Sequence, residues 1–383
     1  MPLIDLIAGA RPNFMKIAPI VQALKEAQGR GSALQWRLVH TGQHYDMGLS
    51  DTFFEELEIP EPDVNLRAGS GTQAEQTAAI MVRYERLLLE KPSNLCLVVG
   101  DVNSTMACAI VARKCGIPVA HVEGGLRSRD WSMPEEINRV VTDSISNWFF
   151  TTLESANENL LKEGVEEERI FFVGNTMIDT LIKHKSRFRP PVIWQMIGLS
   201  PKKYLVLTMH RPANVDDPSQ LSAILEAIAC SSNGLPVIFP VHPRTRRSLE
   251  VVSHKYDSMV FLEPLGYLEF NYLVENSLGV ITDSGGIAEE TTALGVPCLT
   301  LRNNTERPET VTIGTNELIG TDPAKISAAI SCLVSGQWKK GQVPPLWDGK
   351  AAQRIVATLE QLMEPHSGEL SKHETDPSIA QDR

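Results

Sequence analysis

Short apolar runs recur along the chain at residues 3–8, 36–40, 95–99, 119–122 and 148–151, with polar or amphipathic sequence between them. Runs of this length read as strands buried on both faces, the pattern of a parallel sheet covered by helices. Between the first two, Ile17, Ile20, Val21 and Leu24 fall on one helical face. Strands alternating with such helices predict right-handed crossovers. A polar, proline-bearing stretch at 183–203 breaks the rhythm, which restarts at 204–208, 237–240, 259–262, 279–282 and 298–301. The pattern predicts two doubly wound α/β domains facing a central cleft. The N-terminal domain spans 1–182 and the C-terminal domain 183–350; a closing helix at 351–363 is able to pack back on the first, and a disordered polar tail covers 364–383.

Bulk properties sharpen this only slightly. The 383 residues exceed one ordinary core, and 42% hydrophobic with 22% charged residues is ordinary for a soluble globular protein. No apolar run approaches the roughly 20 residues of a membrane span. The chain enters strand-like sequence at once, so no signal peptide is expected and the protein reads as cytoplasmic. A net charge of -11 argues against nonspecific nucleic-acid binding, yet a few converging cations still suffice for a small anion. Cys96, Cys108, Cys115, Cys230, Cys298 and Cys332 show no Cys-x-x-Cys spacing and read as buried, reduced thiols. No residue spacing recommends a metal site, and neither a Walker loop nor a Gly-x-Ser-x-Gly elbow is present.

Candidate chemistry gathers just past the strand ends, where open α/β sheets bind ligands. The richest stretch is Thr282-Asp283-Ser284-Gly285-Gly286, followed by Glu289 and Glu290 on a helix. Gly285 and Gly286 let a backbone approach a ligand, the amides of a helix start favour anions, and Ser284 adds a hydroxyl. Glu290 is placed to accept from sugar hydroxyls, and Arg307 offers a planar cation. Together these suggest a nucleotide diphosphate site. Gly9-Ala10-Arg11-Pro12 with Lys16 is not the dinucleotide fingerprint; Arg11 and Lys16 fit either a diphosphate clamp or a solvated helix start. Asp101, Glu123 and Glu135 are three carboxylates beyond strand ends or at a helix start. Glu135 and Arg139 stand at i, i+4, which a structural salt bridge explains; Asp101 and Glu123 share a sheet edge, as proton transfer at carbon requires. His210 either caps its loop or donates to a leaving phosphate, whereas His121 and His242 read as packing residues.

In combination these residues resemble the non-hydrolysing UDP-N-acetylglucosamine 2-epimerases. The resemblance rests on Gly9-Ala10-Arg11-Pro12, Gly100-Asp101, His121-Val122-Glu123-Gly124-Gly125-Leu126-Arg127, Pro134-Glu135-Glu136-Ile137-Asn138-Arg139, Gly174-Asn175-Thr176, His210-Arg211, Asp283-Ser284-Gly285-Gly286 and Glu306-Arg307-Pro308-Glu309, in order over residues 3–363. It implies two Rossmann-like domains in a GT-B-like arrangement, a UDP-sugar substrate and a homodimer, and no cofactor, nucleic-acid partner or membrane partner is expected. By position it implies Asp101, Glu123, Glu135 and His210 as the catalytic set. Ser284, Gly285 and Gly286 then hold the diphosphate, Glu290 the ribose and Phe270 the uracil region, with Arg11, Lys16, Arg139 and Arg307 around phosphates and sugar. The implied reaction eliminates UDP to a 2-acetamidoglucal and adds it back. Asn13 and Ala213 depart from glutamates common in the family, and Gln43-His44-Tyr45-Asp46 keeps only the first glutamine of its regulatory element, leaving Gln43 and His44 as regulatory candidates. The rival expectations are an epimerase of a diacetamido uronate and a GT-B glycosyltransferase.

Overall fold

A computed structural model describes residues 1–42, 56–251 and 256–364, with Arg11 and Pro12 described by backbone alone. The expectations on the Arg11 side chain, on Gln43 and His44 and on the tail beyond 364 therefore lie outside the described residues.

Among the described residues, thirteen strands form two parallel sheets. The first contains β1 (Leu3–Ala8), β2 (Gln35–His40), β3 (Val64–Asn65), β4 (Leu95–Val99), β5 (Val119–Val122), β6 (Trp148–Thr151) and β7 (Ile170–Phe172), in the order β3-β2-β1-β4-β5-β6-β7. The second contains β8 (Leu205–Thr208), β9 (Val237–Pro240), β10 (Met259–Leu262), β11 (Gly279–Thr282), β12 (Cys298–Thr300) and β13 (Asn316–Leu318), in the order β10-β9-β8-β11-β12-β13. Both run outward from a central strand in two directions, as a Rossmann-like sheet does, so each has a switch point where successive crossovers part to opposite sides. Those points lie between β1 and β4 and between β8 and β11. The short strands β3, β7 and β13 add to the apolar runs read from the sequence.

Five helices set the site: α1 (Arg11–Gly29), α2 (Pro134–Ile145), α3 (Thr176–His184), α4 (Gly285–Leu294) and α5 (Ala351–Met363). Ile17, Ile20 and Leu24 of α1 are buried against Leu6, Leu38 and Leu97 of the first sheet. The same cluster contains Ala352, Ile355, Val356 and Leu359 of α5, so the closing helix completes the first lobe although it follows the second in sequence. Asp179 of α3 caps it, accepting from the amides of Ala351 (3.1 Å) and Ala352 (2.7 Å). The second sheet has its own core around Leu205, Leu207, Phe239, Ile281 and Leu299.

The six cysteines are all unpaired, but they are not all buried: Cys96 and Cys298 lie buried in strands and Cys108 on the buried face of the helix Asn103–Lys114, whereas Cys115 and Cys230 are exposed. The reason is position, since Cys115 ends one helix and Cys230 sits on the outer face at the close of another.

A candidate active site between the lobes

The first-lobe acids are held by backbone geometry. Glu123 follows β5 directly and adopts φ 71°, a left-handed conformation costing a side-chain-bearing residue about 1–3 kcal/mol. Its amide stays bonded to the Phe150 carbonyl of β6 at 2.9 Å, so the strain sits in the turn itself. The carboxylate meets Lys16 of α1 at 2.5 Å, with both side chains buried. The other oxygen, Oε1, is buried and meets no donor among the described residues.

Asp101, just past β4, lies 2.5 Å from the Arg139 guanidinium, and about a quarter of its side chain reaches solvent. Arg139 is among the most deeply buried side chains. Its second partner is Glu136 at 2.6 Å, not Glu135. The i, i+4 pairing expected from sequence is thus replaced by an i, i+3 pairing. Glu136 faces inward because the amides of Ser128 (2.9 Å) and Arg129 (2.8 Å) bind its carboxylate. Burial opposes ionisation of Glu136, but those amides and Arg139 outweigh it and hold the carboxyl below its usual range. Glu135 is left exposed at the start of α2, on the side where its charge acts on Arg211 of the second lobe.

His121 is more than packing. Nε2 bonds the Gly100 carbonyl (2.8 Å) and Nδ1 the Asp143 carboxylate (2.6 Å), tying β5 to the loop that carries Asp101. Asp143 also receives the Gly125 amide at 2.9 Å and Arg127 at 2.6 Å. One buried pair therefore pins the loops beneath both acids. Asn13 ties a third loop down: Oδ1 accepts from Ala10 (3.0 Å) while Nδ2 donates to the Val99 carbonyl (2.8 Å). An ionised glutamate accepts only, so it cannot reproduce the second bond.

At the switch point of the second sheet, Asp283 is fully buried and organises the His210 loop. It binds His210 Nδ1 at 2.8 Å and receives the amides of His210 (3.0 Å) and Arg211 (2.9 Å). Burial alone would raise this carboxyl; His210 and the two amides reverse the sign and depress it. The His210 ring is half exposed with its other nitrogen available, and the His242 ring lies 5.7 Å away. Ser284 then caps the start of α4 without a side-chain bond to that helix. The first amides of α4 have no carbonyl one turn back to bind, which makes this start an anion site in principle.

The lobes meet in a buried ion cluster. Arg307 binds Glu289 of α4 at 2.7 Å, pairs with Glu306, and approaches Glu123 of the first lobe to 3.8 Å. Glu289 also receives Asn175 of the first lobe at 2.8 Å. Burial pushes Glu289 upward and the Glu123 charge adds to this, so it titrates above its usual range despite Arg307. Burial opposes Glu306 as well, yet Arg307 and Arg302 hold it well below. A Cβ on Gly285 would fall 2.7 Å from Glu306 and 2.9 Å from Arg307, so the glycine makes room for this cluster as well as for any ligand. Gly286 faces Met177 of α3.

Glu123, Lys16, Asp101, Arg139 and Arg307 thus converge on the gap between the switch points. Lys16, Arg139 and Arg307 all sit on carboxylates. Glu290 is buried beside the Tyr267 phenol, which burial and that carboxylate push well above its ordinary value. Phe270, on the same helix as Tyr267, packs half-buried against the second-lobe core. Asp283, Glu289, Glu136 and the His121–Asp143 pair went unassigned by sequence reasoning. The tandem acids at 135–136 and 289–290 were the available signal.

Two Rossmann-like sheets with their switch points turned toward one gap define a GT-B-like fold. The chain belongs to the UDP-N-acetylglucosamine 2-epimerase family, whose sequence pattern matches residues 25–360. It is 41% identical over 371 residues to the UDP-N-acetylglucosamine 2-epimerase of Methanocaldococcus jannaschii, covering 93% of this chain and 98% of that one. The crystal structure of that organism's enzyme in complex with UDP-GlcNAc and UDP superposes with a TM-score of 0.84 at 40% identity, over 94% of this chain and all (100%) of that one. A Pseudomonas aeruginosa UDP-2,3-diacetamido-2,3-dideoxy-D-glucuronate 2-epimerase is 38% identical over 366 residues, 93% of this chain and 99% of that one.

Proposed function

We propose that the protein interconverts UDP-N-acetylglucosamine and UDP-N-acetylmannosamine without hydrolysis, as a cytoplasmic homodimer. The first lobe, 1–182, supplies acids and the second, 183–350, holds the nucleotide. The observation that carries this reading is the approach of Glu123 to Arg307 at 3.8 Å, an acid of one lobe beside a cation of the other. The proton on carbon 2 of the sugar has no carbonyl beside it and resists direct removal. If UDP leaves first, taking the electron pair of the C1–O bond, carbon 1 gains oxocarbenium character and carbon 2 becomes acidic. Carboxylates stabilise that charge. The proton then passes to Asp101 or Glu123, and a double bond between carbons 1 and 2 completes a 2-acetamidoglucal. Protonation of the opposite face of carbon 2 and return of the UDP oxygen to carbon 1 give the epimer.

In this scheme Asp101 and Glu123 share acid and base duties and Glu135 supports them. His210, oriented by Asp283, donates to the departing UDP. Ser284, Gly285 and Gly286 hold the diphosphate, Glu290 the ribose and Phe270 the uracil. Lys16, Arg139 and Arg307, with Arg11, gather the phosphates and sugar; a dianionic diphosphate competes there with carboxylates already bound. Lobe closure keeps water from the glucal.

Incubation with UDP-N-acetylglucosamine in deuterated water tests the proposal. The expected result is deuterium at carbon 2 together with UDP-N-acetylmannosamine by NMR; absence of exchange at carbon 2 overturns it. One observation favours a second reading. The Arg211 guanidinium binds the Asp283 carbonyl at 2.9 Å and Met133 sulfur at 3.7 Å, with no carboxylate in ion-pair range among the described residues. A sugar carboxylate would suit it, so the diacetamido glucuronate belongs in the same assay.

A further inference from the structure

The helix Tyr267–Asn276 begins at Gly266, which has no side chain with which to cap it. Its cap comes from the opposite lobe. Glu56 precedes β3 of the first sheet and is only 5% exposed. Its Oε2 accepts from the amides of Tyr267 (2.8 Å) and Leu268 (3.4 Å), and Oε1 from Arg189 of the interlobe connection (2.8 Å). Around it the lobes share one apolar core, since Leu57 and Ile59 cluster with Tyr267 and Leu268. A Cβ on Gly266 would sit 2.9 Å from both Glu56 oxygens, so the absent side chain is what admits the foreign carboxylate. A carboxylate at this end satisfies donors the helix itself cannot and complements its dipole.

The capped helix is not a neutral strut. It carries Phe270, and its first residue, Tyr267, sets a phenol against Glu290. We infer that Glu56 is a positioning residue of the nucleoside subsite, fixing from the first lobe the helix that presents Phe270 and Tyr267 in the second. This rests on the proposed UDP site for its ligand, though not for its geometry.

A reciprocal substitution tests the inference. Removing Glu56 strips the cap, and Gly266 is already in the extended conformation of a capping residue (φ -63°, ψ 164°). Serine is a strong cap. Gly266→Ser therefore harms the protein while Glu56 is present, by clashing with it, and helps once Glu56 is gone. Expected by UDP titration calorimetry is an affinity about tenfold weaker for Glu56→Ala, the usual scale of a lost cap, recovered in Glu56→Ala/Gly266→Ser. Glu56→Gln, which keeps the shape and one acceptor, falls between. In turnover the loss appears in KM, with kcat kept within about threefold, because the helix touches no reacting atom. Hydrogen exchange of the Tyr267 and Leu268 amides reads the cap without any ligand: it quickens in Glu56→Ala and slows again in the double variant. The inference is overturned if Gly266→Ser acts alike in both backgrounds, or if these amides exchange unchanged without Glu56. Failure of the wild-type protein to bind UDP would count against the proposed function instead, and amide exchange would still decide the cap.

Discussion

Several demanding local conditions meet at Glu123. It combines left-handed backbone, burial, a lysine at 2.5 Å and an oxygen that meets no donor among the described residues. The left-handed backbone, the buried charge and the unbonded oxygen each cost stability, the lysine offsets part of that cost, and their coincidence at a switch point is what a reacting group looks like. Glu123→Gln and Asp101→Asn keep the shape of these side chains while removing the base. Each is expected to leave UDP affinity within a few-fold of wild type and to lower turnover about 10²–10⁴-fold, measured by calorimetry beside the deuterium-exchange assay. Parallel loss of binding and turnover would mark them as structural. The acids nearest the cleft were legible because they follow strand ends. Glu136 and Glu289 were not, because adjacent glutamates share a motif and only helix phase decides which one turns inward. That phase is set by partners remote in sequence, the Ser128 and Arg129 amides for one and Asn175 with Arg307 for the other.

At the scale of elements, the junction of α3 and α5 makes its own prediction. Asp179 accepts two amides of α5, which favour the carboxylate, yet burial wins and raises it to about 6. The folded protein thus binds this proton more tightly than the unfolded chain, where the group titrates near its ordinary value of about 4. Its contribution is fully present below about pH 4 and is lost as pH rises through about 6. Asp179→Asn, neutral throughout, should gain roughly 2–3 kcal/mol relative to wild type between pH 4 and 8, read from urea midpoints at each pH. A constant difference would refute the assignment. The long strands were plain from their apolar runs. β3 and β13 were hidden because two or three residues, with Asn65 or Glu317 among them, give no run to read, whereas β7 is apolar throughout, Ile170-Phe171-Phe172, and was hidden only by its shortness. All three are rungs on the edges of sheets, and for β3 and β13 that tertiary cause leaves no local trace.

The whole molecule is two sheets joined by more than their connection. Glu123 with Arg307, Asn175 with Glu289 and Glu56 with Tyr267 all cross the divide, while α5 returns to the first lobe. Leu359 is fully buried in that returning helix. Leu359→Ala is expected to cost about 2–5 kcal/mol. Hydrogen exchange should show the loss in β1 before β8, although residue 359 lies beyond the second sheet in sequence. Earlier opening of β8 would assign α5 to the other lobe.

The return of α5 also bears on synthesis. A ribosome delivers the seven strands of the first sheet well before residues 351–363, and translation leaves one apolar flank of α1 uncovered meanwhile. The early half of the nascent chain must wait, exposed to chaperones, until the whole second sheet and then residues 351–363 have been made.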